Sequence, residues 1–271
     1  MGEVVAAAGM PHTPVFPQVA MDAPRGPVAR RYGVLRDLVE GARPDALLIV
    51  SGDHFTTYGL DAVPTLAVHV GDLTGPADAV PGLPSGPMAG AGELSRHIHR
   101  HLVSRDFDPA VSIGAQVDHG IAVPRWFLDP AGRIPVVAVH VNTLLAPLPS
   151  PRRCVRLGEE IRSAIRTSGA GRVAVIASGS FSLEVGGPAL GHDRLWAVPD
   201  PGWAATVVDH LTAATTDELT AAITPEVLGG AGTVAGEVLA WLVVRGATSH
   251  LRLASMSYYQ GEGHAFAGWN H

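Results

Sequence analysis

Residues 46–54 read ALLIVSGDH: an unbroken apolar run, Ala46–Val50, passes directly into Ser51, Gly52, Asp53 and His54. A strand with one wet face alternates apolar and polar residues, whereas a continuous run marks a strand buried on both faces. The same pattern recurs at Val4–Ala8, Ile134–Val141 and Arg172–Ala177. Helical patterns separate these runs at Pro27–Glu40, Gly92–Ser104, Pro151–Thr167 and Pro201–Ala213, and two more follow at Asp217–Ala222 and Val234–Arg245. Strands alternating with helices predict an α/β fold, with a mainly parallel or mixed central sheet and helices on both faces. Leu251–Tyr259 predicts one further strand. The Gly- and Pro-rich stretch Asp72–Gly90 is too long for an ordinary connection and is expected to form a lid over a pocket. Repeats and shifts in composition are absent, so residues 1–271 are expected to form a single domain.

Composition removes several function classes. The chain has 271 residues, of which 46% are hydrophobic and 16% charged, and its net charge is −6. That balance argues against a nucleic-acid partner, which would call for a basic stripe. All 19 basic residues are arginine. Without lysine there is no Schiff base, no pyridoxal-phosphate linkage and no Walker-type phosphate grip. Cys154 is the single cysteine, which excludes an intrachain disulfide, an iron–sulfur cluster and a thiolate zinc site, and it is expected as a small core residue. A free thiol and the lack of a basic leader at the start suggest a cytoplasmic protein, and no apolar run is long enough to span a membrane.

Ligands of open parallel sheets bind beyond the carboxyl ends of strands, so the candidate site is sought there. The first strand runs into Gly9-Met10-Pro11-His12 and the second into Gly52-Asp53-His54, which places two imidazoles at equivalent strand ends. A carboxylate is the natural third ligand. Glu237 is the sole charge before Arg245 in the apolar helix pattern Val234–Arg245. Pattern alone equally allows Glu237 a narrow solvent face. Two histidines and one carboxylate would leave the opposite side of a metal open, an arrangement suited to ferrous iron binding a substrate and dioxygen. Asp53 either supports a neighbouring imidazole or closes its own turn. His97, His99 and His101 fall on different helix faces and read as surface residues, while Tyr258 and Tyr259 read as packing.

Six segments, in order, resemble the class III extradiol ring-cleavage dioxygenases, the family of the catalytic subunit of protocatechuate 4,5-dioxygenase. They are Gly9–Pro14 (GMPHTP), Ser51–Phe55 (SGDHF), Val117–Pro124 (VDHGIAVP), Leu148–Arg153 (LPSPRR), Ala177–Pro188 (ASGSFSLEVGGP) and Gly236–Ala247 (GEVLAWLVVRGA). The resemblance implies a Fe(2+) cofactor on His12, His54 and Glu237, and a catalytic acid–base role for His119. It further implies a small aromatic substrate, usually a catechol opened by O2 beside its two hydroxyls. The partner expected besides these is a second copy of the chain or a small helical subunit.

In one place the chain departs from this pattern. The family's turn after the strand equivalent to Arg172–Ala177 ends in a histidine that serves as acid–base, and Leu183 stands there in this chain. Leucine moves no proton. His119 is then the remaining proton shuttle of the family type, with Glu184 and His192 as stand-ins and Leu183 an apolar wall of the pocket. The same departure leaves other readings beside ring opening of a catechol: an aminophenol or other phenol as substrate, or a non-catalytic partner subunit. A zinc hydrolase would use similar ligands but fits the order of motifs poorly.

Overall fold

The computed structural model describes residues 1–186, 190 and 196–271. The strands are β1 (Glu3–Met10), β2 (Ala46–Ser51), β3 (Leu66–Val70), β4 (Leu73–Gly75), β5 (Gly86–Met88), β6 (Ala110–Ile113), β7 (Val136–Val141), β8 (Arg172–Ser178), β9 (Glu184–Val185), β10 (Trp196–Ala197), β11 (Arg252–Ser257) and β12 (Phe266–Asn270). The helices are α1 (Phe16–Asp22), α2 (Pro27–Gly41), α3 (Gly92–Val103), α4 (His119–Leu128), α5 (Pro151–Ser168), α6 (Pro201–Ala213), α7 (Thr216–Ala222), α8 (Pro225–Ala231) and α9 (Val238–Ala247). Eight strands form one mixed sheet in the order β11-β12-β1-β8-β2-β7-β3-β6. Its centre, β1-β8-β2-β7, is parallel, and antiparallel neighbours flank it on both sides.

The continuous apolar runs have the expected consequence. Along β2, Leu48 and Val50 enter one core while Leu47 and Ile49 enter the other, and β8 divides in the same way at Val173, Val175 and Ala177 against Ala174 and Ile176. A bulge between Val4 and Ala6 shifts this alternation in β1. Helices α3, α5, α6 and α9 cover the first core, and α2 and α4 cover the second. At about 1.5–3 kcal/mol for each large aliphatic side chain fully buried, these two layers are the main source of stability.

Several elements were not evident from pattern. β3 is short and carries a histidine, β6 is an exposed edge strand, and the apolar run of β12 is interrupted by Gly268. The helix expected at Val234 begins instead with a 3-10 turn, Ala235–Glu237, before α9. Asp72–Gly90 is partly ordered into the β4–β5 ribbon, and Thr74 exchanges backbone hydrogen bonds with the segment at Ala115–Val117. Among the described residues no helix is long and apolar enough to cross a membrane.

Candidate metal centre

His12, His54 and His119 arrive from three strand-end segments and present ring nitrogens within 4.8 Å of one another. His12 lies two residues beyond β1, and the Tyr32 hydroxyl of α2 fixes the turn before it by donating to the Pro11 carbonyl at 2.6 Å. His54 follows β2 by three residues. Next to it Phe55 adopts φ +59°, a left-handed conformation that costs a non-glycine residue about 1–2 kcal/mol. Asp53 offsets this by accepting the backbone N–H groups of Thr56, Thr57 and Tyr58. His119 opens α4, whose N-cap Asp118 accepts from the Gly120 N–H at 2.9 Å.

Hydrogen-bond partners settle which nitrogen of each ring carries the proton. Ser178 has one hydroxyl hydrogen, and the Gly120 carbonyl at 2.5 Å takes it. The Ser178 oxygen therefore accepts at 2.8 Å from His12 Nδ1–H, which leaves His12 Nε2 a bare lone pair. Asp118 accepts from His54 Nδ1 at 2.7 Å and from the His54 backbone N–H at 2.8 Å, so His54 Nε2 is bare as well. Asp78 does the same for His119, binding its Nδ1 and its backbone N–H. A carboxylate or hydroxyl behind each ring fixes its orientation and raises its basicity.

Glu237 closes the arrangement. Its Oε1 lies 3.1 Å from His12 Nε2 and 3.3 Å from His54 Nε2, and the residue is 1% exposed. Its Oε2 accepts from the Ser180 N–H at 2.6 Å. Gly179 makes this approach feasible: its φ is +151°, and a Cβ there would sit 2.5 Å from Glu237 Cβ. Burial acts to raise the Glu237 pKa, but the His12 and His54 rings outweigh it and hold the carboxyl at about 2. Two lone pairs and a carboxylate oxygen, all Lewis bases, thus converge on one point. That donor set repels itself unless a cation lies among its members, and two neutral imidazoles with one carboxylate suit a divalent transition metal. Without a metal, a proton serves: burial works to lower the His54 pKa, yet Asp118 and Glu237 raise it to about 10.

The family described as the catalytic LigB subunit of aromatic ring-opening dioxygenase matches residues 6–268. The chain belongs to that family. Among relatives, gallate dioxygenase of Pseudomonas putida is 32% identical over 64% of this chain and 50% of its own length. A 2,3-dihydroxyphenylpropionate/2,3-dihydroxicinnamic acid 1,2-dioxygenase of Comamonas testosteroni is 30% identical over 71% of this chain and 58% of its own. The chain thus spans about half the length of the curated relatives it matches. The crystal structure of uncharacterized protein JW3007 from Escherichia coli K12 shares the fold, with TM-score 0.52, 15% identity and 98% coverage of both chains.

The remaining residues singled out from sequence fall as follows. Leu183 is buried but joins neither apolar cluster, and its carbonyl accepts from Val234 N–H, three residues before Glu237. Glu184 is committed elsewhere, accepting the Thr233 N–H at 2.9 Å. His192 lies outside the described residues. Asp53 serves its own turn, and the imidazole support comes from Asp118, Asp78 and Ser178 instead. Asp78 belongs to the stretch expected as a lid, so at this point that stretch reaches the centre. Cys154 is buried, and burial pushes its thiol up to about 12, as befits a core residue.

Proposed function

We propose that this chain is an extradiol dioxygenase that opens a catecholic ring with O2, with a ferrous ion on His12, His54 and Glu237. The observation that carries this reading is the convergence of two Nε2 atoms, each with its Nδ1 already engaged by an oxygen, on one buried carboxylate in a member of the ring-opening family. His119 also offers a nitrogen to the group, but Glu237 is favoured as third ligand because its Oε1 touches both other rings. A ferrous ion bound there would act as a Lewis acid that eases loss of a phenolic proton, with open positions for two substrate oxygens and dioxygen.

The chain's own residues do the rest. Burial lowers the His119 pKa, against the pull of its hydrogen bond to Asp78, so the ring is a neutral base. Its Nδ1 is occupied by Asp78, which leaves Nε2 to take a proton from a substrate hydroxyl and return it later. Asp78 then stabilises the imidazolium. Leu183 gives the pocket an apolar wall, which favours a ring bearing a hydrophobic substituent over one bearing a carboxylate. The homologues' names, gallate dioxygenase and a dihydroxyphenylpropionate dioxygenase, supply the first rings to try.

The test is anaerobic reconstitution with ferrous iron, followed by oxygen uptake over a panel of catechols. Uptake should appear with at least one catechol, and Leu183→His should speed simple catechols by roughly 10-fold or more, given the usual 10²–10⁴ of acid–base catalysis. No uptake by either protein with any catechol would overturn the assignment.

A further inference from the structure

Behind the candidate centre lies a small, partly open cavity, walled by Ser51, Asp53, His69, Asp118 and His140 among others. It leaves the centre of a water molecule about 10 Å³ to occupy, the space of one buried water. Ser51 Oγ, His69 Nδ1 and His140 Nδ1 are each buried with no hydrogen-bond partner among the described residues. Buried polar atoms almost always find a partner, so three around one cavity call for a shared one. The sheet puts the two rings there together. In the antiparallel β3–β7 pair, His140 stands opposite Ala67, two residues along from His69, while Val68, Val139 and Val141 turn to the other core.

The protons can be assigned. His140 Nε2 lies 3.1 Å from the Pro64 carbonyl, which only accepts, so Nε2 carries the hydrogen and Nδ1 is an acceptor. The Tyr58 hydroxyl meets His69 Nε2 at 3.3 Å, and a hydroxyl that donates there puts the His69 ring hydrogen on Nδ1. Burial keeps both rings neutral, pushing His69 down to about 4. The walls therefore offer one donor, one acceptor and one hydroxyl, the complement of a single water molecule.

The cavity also adjoins the support of a candidate ligand. A methyl group on Gly120 would sit 2.3 Å from Ser51 Oγ and 3.0 Å from Asp118 Oδ1, so the glycine lets these two oxygens flank the start of α4. The other oxygen of Asp118 holds His54. We propose that Ser51, His69 and His140 bind one structural water, and that this network braces Asp118 and thereby orients His54. His69 and His140 are then positioning residues for the centre. That second step rests on His54 being a ligand; the water site does not.

Two measurements on metal-free wild-type protein test the water site. Its crystal structure should show one ordered water in hydrogen-bond range of all three atoms, and ¹⁵N-histidine spectra should show His140 protonated at Nε2 and His69 at Nδ1. A cavity without water, or His140 protonated at Nδ1, overturns the proposal. The positioning role is read by cobalt(II) affinity in competition with a chelator. His140→Leu should weaken binding by about 10-fold, the lower range for partners of metal ligands. His140→Asn, whose side-chain oxygen can stand where Nδ1 stood, should restore most of the loss. Unchanged affinity in folded His140→Leu overturns the positioning role. His54→Ala separates the two readings: wild-type cobalt binding by that variant would sink the metal centre itself and leave the water site standing.

Discussion

His97, His99 and His101 fall within one turn and a half of α3, whereas His12, His54 and His119 come from three distant segments of the chain. The crowded trio disperses. His97 meets Thr167, His99 meets the Pro109 carbonyl, and His101 meets Glu160, each ring half-buried against a different neighbour. The scattered trio converges, with His54 and His119 rings stacked at 4.1 Å and His12 edge-on to both. Helix geometry turns successive residues outward by 100°, while parallel strands end side by side and aim their following turns at one place. The second difference lies behind the rings. Each converging imidazole is held through Nδ1 by an oxygen, which leaves Nε2 as the nitrogen each ring offers to the group.

This contrast can be broken in four places, taken from the largest expected effect to the smallest. Glu237→Ala should abolish stoichiometric iron binding and all ring opening with the fold retained; metal analysis showing full occupancy would remove Glu237 from the centre. His119→Ala should keep its iron yet lose roughly 10²–10⁴-fold in turnover, since a base is removed and a ligand is not. Loss of the metal in that variant would instead place His119 among the ligands. Asp118→Asn leaves the His54 ring in place but weakens what holds it, and metal affinity measured by chelator competition should fall roughly 10–100-fold. His101→Ala, by contrast, should leave both metal and turnover unchanged and cost less than about 1 kcal/mol in a urea titration, as loss of one partly exposed hydrogen bond to Glu160 would. A catalytic defect there would erase the distinction between the two trios.

The parts of this molecule that sequence discloses are those with local causes. Ala46–Val50 and Arg172–Ala177 announce central strands because burial on both faces demands an unbroken apolar run, and His12 and His54 are conspicuous because they follow such runs at once. β3 and β6 have no comparable signature: one carries His69 in a polar cavity, and the other is an exposed edge. The supports of the centre were harder still to see. Ser178 reaches His12 across 166 positions and Asp78 reaches His119 across 41, and no periodicity encodes such encounters. Asp118 caps α4 locally, and its second task, holding His54, follows only once β2 lies beside the start of α4. Asp78 had one available signal, a carboxylate in a Gly- and Pro-rich stretch otherwise poor in charge.

The position of β1 has a consequence for the order in which the molecule can be made. Its sheet neighbours are β8 and β12, so the strand that leads to His12 finds its partners only when residues near 172 and 266 have been synthesised. A nascent chain of half this length already carries His12, His54 and His119, but neither Ser178 to turn the first ring nor Glu237 to complete the group. Contacts so far apart in sequence form late, since long loops must close before they are rewarded. During translation the histidines therefore emerge long before Ser178 and Glu237 can join them, and the group assembles only at the final stage of folding.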